Sequence, residues 1–244
     1  MIHATLFDLM GTLLIEAPAS PSEVPPDPFG NFHRVMLEAG LSMSREELLT
    51  SLDEIRPVAV SGTATPFEDR LLRVCERGGL SVSPAKAHEI AEEICSYSNK
   101  VLTLDPETIP AIRQMRQRGP VGLVSNYDHP PNVHHLLKRD GLEQTFDIVI
   151  ISGELGVWKP DPGILLAATT KLEVDPASTV YVGDSGVDID CAHAARMPSI
   201  LIQREGGPSD PLREKRHDER IAQPDVIIGS LTELADAVAG IGHG

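Results

Sequence analysis

The stretch Ile2-His3-Ala4-Thr5-Leu6-Phe7-Asp8-Leu9-Met10-Gly11-Thr12-Leu13 decides the fold. Ala4–Phe7 is short and largely apolar, as expected of a strand buried on both faces of a parallel sheet. Asp8 follows at once, and Gly11 permits a tight turn. Open α/β sheets take their ligands where strands end and loops begin. Asp8 therefore stands where a nucleophile or metal ligand would stand, although a strand-end aspartate is as readily a structural one.

Outward from this segment the same signal recurs. Val121–Val124, Ile148–Ile151, Thr179–Val182, Ser199–Ile202 and Val226–Ile228 are short apolar runs bounded by Gly, Asp, Ser or Pro. Amphipathic stretches separate them at Pro106–Arg118, Pro131–Arg139, Pro162–Leu172 and Asp188–Ala195, with Thr232–Val238 closing the chain. Strand–helix alternation predicts an α/β fold, a doubly wound Rossmann-like parallel sheet.

One region breaks the rhythm. Between Thr12 and about Thr103 no buried strand is evident. Residues 17–30 are proline-rich and read as a loop. Helical patterns follow at Phe32–Ala39, Ser44–Ile55, Pro66–Glu76 and Pro84–Tyr97. Ser44 with Glu47 forms a capping-box pattern, and Ser83 with Lys86 resembles one less closely. The division predicted is a core of residues 1–14 and 99–244, interrupted by a small helical domain at 15–98. The charged stretch Arg204–Pro224 reads as a surface loop, and residues 240–244 as a frayed end.

Composition narrows the function. The chain has 244 residues and a formal net charge of -15. Such acidity argues against nucleic acid or an anionic membrane as partner, because both repel it. An anionic small-molecule substrate remains compatible, since one metal ion and one lysine can invert the local sign. No apolar run approaches the roughly 18 residues of a membrane span. No basic-then-apolar leader pattern opens the sequence. Cys75, Cys95 and Cys191 lack metal-ligand spacing and read as reduced thiols, so the expected location is cytoplasmic.

Three further segments lie at predicted strand ends. Leu123-Val124-Ser125-Asn126 offers a hydroxyl and an amide that can bind an oxyanion, or serve as a turn or helix cap. Gly156-Val157-Trp158-Lys159-Pro160-Asp161-Pro162 places a lysine just before a helix. It is either a point charge for the site or a solvated lysine. Tyr181-Val182-Gly183-Asp184-Ser185-Gly186-Val187-Asp188 carries two acids four apart around a tight turn. Carboxylates so spaced suit Mg²⁺, a hard cation that takes oxygen ligands; a helix cap plus a first-turn acid is the structural alternative.

In order and composition, these four blocks resemble the haloacid dehalogenase superfamily. That family shows a nucleophilic Asp in an Asp-x-Asp-Gly-Thr-Leu-like segment, then Ser or Thr, then Lys-Pro-Asp, then Gly-Asp-x-x-x-Asp. Gly141-Leu142, Phe146-Asp147 and Ala194-Ala195 with Met197 support the likeness, and the helical insert matches the family's cap in position and kind. The resemblance implies roles. Asp8 would be the nucleophile, forming a covalent aspartyl intermediate. Ser125 and the backbone amide of Asn126 would hold a phosphoryl oxygen, with Thr12 among the substrate-binding residues. Lys159 would neutralise charge on nucleophile and substrate. Asp8, the Met10 carbonyl, Asp184 and Asp188 would hold Mg²⁺. The expected reaction is hydrolysis of a small phosphorylated metabolite.

The sequence departs from this pattern at Met10. Family phosphatases carry an Asp there that protonates the leaving alkoxide and then activates water. A thioether does neither. The family's dehalogenases also lack that Asp, because halide needs no proton, but they lack the Gly-Asp-x-x-x-Asp block as well. They use a cap arginine, for which Arg34 is the candidate here. The phosphonate-cleaving members use a cap lysine, and the insert offers Lys86 and Lys100. A non-catalytic phospho-ligand or partner-binding protein is the reading from another class, favoured by Met10 alone. His129, His134 and His135 read as helix surface and His193 as near solvent. Cys191 reads as a packed small hydrophobe, Tyr127 and Asp128 as pocket-mouth residues, and Trp158 as either packing or pocket wall.

Overall fold

A computed structural model describes residues 1–16, 27–204 and 222–241. The expected loops at 17–30 and 204–224 fall largely outside these residues, as does most of the expected frayed end. Six parallel strands form the main sheet: β1 (Ala4–Phe7), β4 (Val121–Ser125), β5 (Ile148–Ile151), β6 (Thr179–Gly183), β7 (Ser199–Ile202) and β8 (Val226–Ile228). All six match the apolar runs to within one residue. Their spatial order is β5-β4-β1-β6-β7-β8. The chain thus winds outward from β1 in one direction and then restarts beside it in the other, which is the Rossmann-like doubly wound arrangement. The winding reverses between β1 and β6, whose pairing runs Ala4↔Thr179 to Phe7↔Val182. Sheets of this kind open a crevice at that point.

Helices cover both faces, because both faces are apolar. On one side α5 (Thr108–Arg116), α6 (Pro130–Arg139) and α10 (Leu234–Ile241) bury Ile112, Met115, Leu136, Leu137 and Leu234 against Phe7, Leu123 and Val182. On the other, α8 (Gly163–Leu172) and α9 (Gly186–Ala194) bury Ile164, Leu165, Ala168 and Cys191 against Leu6, Val124 and Tyr181. A fully buried side chain of this kind contributes about 1.5–3 kcal/mol. A short helix, α7 (Ser152–Leu155), directly follows β5.

Four helices separate from this sheet around an apolar cluster of their own: α1 (Pro28–Glu38), α2 (Arg45–Glu54), α3 (Pro66–Arg77) and α4 (Pro84–Val101). Phe32, Met36, Leu48, Leu52, Phe67 and Leu71 lie in that cluster. The capping box read at Ser44 and Glu47 is reciprocal, and α3 opens with a second one, Thr65 with Glu68, that the sequence reading did not single out. Ser83 accepts from the Lys86 backbone without the return bond.

The structure corrects three sequence expectations here. Pro28–Gly30 is not loop but the first turn of α1, with Asp27 as N-cap accepting from the Gly30 N–H at 2.8 Å; a proline is compatible with that turn, where no intrahelical N–H is needed. A strand does occur after Thr12, β2 (Leu14–Glu16), pairing antiparallel with β3 (Leu102–Leu104). α4 continues to Val101, beyond the helix end read at Tyr97. No helix among the described residues is long and apolar enough to cross a membrane.

Candidate active site

The sheet brings the four segments together. β1 delivers Asp8, β4 delivers Ser125, β6 delivers Asp184, and the first turn of α9 delivers Asp188. Asp8, Asp184 and Asp188 each offer a carboxylate oxygen within 4.8 Å of the others. Three oxygen donors this close suit a hard divalent cation.

Lys159 sits among them. Its Nζ donates to Asp8 Oδ1 at 2.6 Å, Asp188 Oδ1 at 2.7 Å and the Tyr181 hydroxyl at 2.9 Å. The side chain is 3% exposed, so this is no solvated lysine. It arrives from a loop whose Lys159–Pro160 peptide is cis. Asn126 holds that loop: its Nδ2 donates to the Lys159 carbonyl at 3.0 Å and its Oδ1 accepts from the Lys159 N–H at 2.8 Å. The Asn126 side chain is thereby spent on the lysine backbone, which leaves only its main chain for the substrate contact expected of it.

Asp188 uses both oxygens. Oδ1 takes Lys159 and Tyr181, and Oδ2 accepts from the Ser185 N–H at 3.0 Å and hydroxyl at 2.5 Å. Gly183 makes this approach feasible, because a Cβ there would lie 2.5 Å from the Asp188 side chain. Asp8 is less committed: beyond Lys159 it is met by the Leu9 backbone N–H and, at a long 3.5 Å, by Thr12 Oγ1. The Ser125 hydroxyl is buried without a protein partner. An orphaned buried hydroxyl costs free energy unless something pairs with it, and an anionic substrate oxygen is a suitable partner.

The charges settle accordingly. Burial pushes the Asp8 carboxyl up from 3.8 to about 6, with Asp188 adding to the rise and Lys159 opposing it. Burial also disfavours charge at Asp188, but Lys159 and Ser185 outweigh it and hold this acid below the ordinary range. At Lys159 burial is likewise outweighed, by Asp188 and Asp8, so the ammonium stays charged.

Two contributors escaped the sequence reading. The Tyr181 hydroxyl lies within hydrogen-bond reach of Lys159, Asp188 and the Val124 carbonyl, tying β6 to β4 beneath the site. Arg204 donates to the carbonyls of Gly11 at 2.6 Å and Thr12 at 2.9 Å and to Asp105 at 2.6 Å. It fixes the turn after Asp8, in which Gly11 takes a φ of 83°. Neither had a local sequence signal; Tyr181 read as a strand residue and Arg204 as the edge of a loop.

The four-helix unit borders these loops. Arg70 pairs with Asp128 at 2.9 Å, and the Phe67 N–H donates to the Asp128 carbonyl at 2.9 Å. His129 is corrected from helix surface to buried: it is 1% exposed, with Nδ1 2.9 Å from Thr65 Oγ1 and Nε2 3.1 Å from Glu92. His134 is exposed and pairs with Glu154. Arg34 is half exposed and bound by Glu38 and Glu93. Lys86 pairs with Glu89 at the surface. Cys75, Cys95 and Cys191 are buried free thiols.

Comparison with known proteins identifies the family. A family model described as haloacid dehalogenase-like hydrolase matches residues 2–196. The chain is 33% identical to a glyceraldehyde 3-phosphate phosphatase of Methanopyrus kandleri, over 98% of this chain and 97% of that one. It is 31% identical to a phosphoserine phosphatase of Thermus thermophilus, over 74% of this chain and 69% of that one. The structure of a 2-haloacid dehalogenase from Pseudomonas syringae superposes with a TM-score of 0.65 at 24% identity, covering 98% and 99% of the two chains. That last likeness speaks for the fold alone.

Proposed function

The chain belongs to the haloacid dehalogenase-like hydrolase family, and from that premise we propose that it is a Mg²⁺-dependent phosphatase of small phosphorylated metabolites, acting through an aspartyl phosphate at Asp8. The observation that carries this reading is the cluster of Asp8, Asp184 and Asp188 around a buried Lys159. Displacement of halide has no use for a metal site, whereas a phosphoryl group carries charge that must be neutralised. The phosphatase relatives support the same side.

In this reading an Asp8 oxygen attacks phosphorus in line as the bond to the leaving oxygen breaks. Lys159 orients the carboxylate and offsets the charge gathering on the phosphoryl group. The orphaned Ser125 hydroxyl and the Asn126 main-chain N–H donate to its oxygens, with Thr12 close by. Water then attacks phosphorus, releasing phosphate and regenerating Asp8. Asp8 Oδ2, the Met10 carbonyl and Asp184 would hold Mg²⁺ directly. Asp188, with both oxygens already taken, would chiefly anchor Lys159 and the turn. Bound there, the ion supplies electrostatic stabilisation and a template for the displacement. Residues 1–14 and 99–244 would form the catalytic core, with the helices of 15–98 as a cap that excludes water and selects substrate.

Met10 leaves the leaving alkoxide to take its proton from water, so alkyl phosphates would turn over more slowly than esters with good leaving groups without being excluded as substrates. The same residue is what favours a second reading, carbon–halogen hydrolysis without metal. Arg34, bound by its own carboxylates, weakens that alternative. A paired assay separates them: phosphate release from p-nitrophenyl phosphate with and without Mg²⁺, and chloride release from small haloacids, on wild type and Asp8→Asn. Mg²⁺-dependent phosphate release lost in Asp8→Asn is expected. Metal-independent chloride release abolished by the same change would replace this reading with the second, and no turnover of either kind would leave a binding protein.

A further inference from the structure

We infer that the substrate is a phosphomonoester whose leaving group carries no negative charge, such as a polyol, ketose or aldose phosphate, and not a phosphorylated acid. This inference rests on the phosphatase reading above and concerns what lies beyond the phosphoryl group.

The leaving group must project from the strand ends toward the four-helix unit, because that unit borders the loops carrying Ser125 and Lys159. Thr65 meets His129, Phe67 meets Asp128, and Ala59 faces Gly156 so closely that a Cβ there would stand 3.1 Å away. Within the connection between α2 and α3, the stretch Pro57-Val58-Ala59-Val60-Ser61-Gly62-Thr63-Ala64 bears no charge, and the one cation of the connection, Arg56, pairs with Asp53. A substrate carboxylate in this space would need a cation.

Apart from Lys100, the lysines and arginines of the helical unit are already engaged. Arg34 pairs with Glu38 and Glu93, Arg45 with Asp27, Arg56 with Asp53, Arg73 with Asp69 and Arg77 with Glu54. Arg70 stands nearest the Ser125 loop and is the most completely used. Besides Asp128 it donates to the carbonyls of Ile55, at 2.9 Å, and Leu52. Lys86 pairs with Glu89, and Lys100 is exposed at the C-terminal end of α4. Among the described residues of the unit, no arginine is left to receive a carboxylate. Entering anionic groups would lose hydration without gaining a partner, which is how a site rejects a ligand.

The test is a matched pair, glycerol 3-phosphate and 3-phosphoglycerate, which share a three-carbon skeleton and the same primary phosphate ester. With Mg²⁺ present, kcat/KM should favour glycerol 3-phosphate by about tenfold or more. An equal ratio, or one favouring the acid, overturns the inference. Asp128→Asn should release Arg70 and lower that ratio; a ratio unmoved by the change removes ion pairing as its cause. Calorimetric binding of the same pair to the Asp8→Asn chain reads the discrimination without turnover. If p-nitrophenyl phosphate is not hydrolysed, the phosphatase reading falls, while tighter binding of glycerol 3-phosphate supports charge selection and equal or tighter binding of 3-phosphoglycerate overturns it.

Discussion

The Lys159 ammonium stands 2.6 Å from Asp8 Oδ1 and 2.7 Å from Asp188 Oδ1, so one buried cation holds two buried carboxylates. Lys159→Met would leave both anions uncompensated, and removing one partner of a buried pair costs about 3–5 kcal/mol. Urea unfolding without Mg²⁺ should show a loss of that order. Added Mg²⁺ should then stabilise Lys159→Met more than wild type, because the ion takes over part of the neutralisation. Equal stabilisation of the two would contradict a shared set of carboxylates.

Burial, reinforced by Asp188, holds the metal-free Asp8 carboxyl at about 6. Below that value the acid is protonated, and a cation requires the anion. Mg²⁺ affinity should therefore weaken as pH falls through about 6, by at most roughly tenfold per unit, and binding near the midpoint should release a proton. For folding, the same shift favours the protonated metal-free chain. Its contribution is full below the ordinary value of 3.8 and is lost as pH rises through about 6. Calorimetry in buffers of different ionisation heat reads the proton directly. An affinity flat across this range would count against Asp8 as a ligand.

Arg204 reaches from the end of β7 to the carbonyls of Gly11 and Thr12. It braces the turn that holds Met10, whose carbonyl is proposed above as a Mg²⁺ ligand. Arg204→Gln gives up charged hydrogen bonds worth about 1.5–3 kcal/mol each. Mg²⁺ titration should show affinity reduced by about tenfold, a difference of about 1.4 kcal/mol. Lower stability with unchanged Mg²⁺ binding would reduce Arg204 to a structural tie.

Met10→Asp restores a carboxyl two residues beyond the nucleophile. General acid–base help is worth about 10²–10⁴-fold where the leaving group needs a proton. Hydrolysis of alkyl phosphates should rise far more than that of p-nitrophenyl phosphate, whose leaving group departs unaided. A uniform change across both classes would show that Met10 is not standing in for a missing acid.

The sheet was legible because its strands are short apolar runs, and β1, β4 and β6 run at once into Asp8, Ser125-Asn126 and Gly183-Asp184. For the same reason the chemistry-bearing residues could be placed at strand ends before any contact was known. The β2–β3 ribbon was hidden because each strand is three residues long, too short for a period to register. α1 was read late because prolines suggest loops, while a proline in a first turn suits a helix. Tyr181, Arg204 and the buried His129 had no local signal. Their roles arise from partners far along the chain, such as Gly11 for Arg204 and Thr65 for His129. The two-point grip of Asn126 on Lys159 was likewise invisible, since the amide could equally have faced the substrate.

The central claim is that Asp8 becomes phosphorylated during turnover. Acid quenching of the working enzyme, borohydride reduction and peptide mass spectrometry test it directly, because reduction converts an aspartyl phosphate to homoserine. The account predicts homoserine at position 8 that requires both substrate and Mg²⁺ and is absent from Asp8→Asn. Sustained phosphate release with Asp8 unmodified, or homoserine at another aspartate, would contradict it.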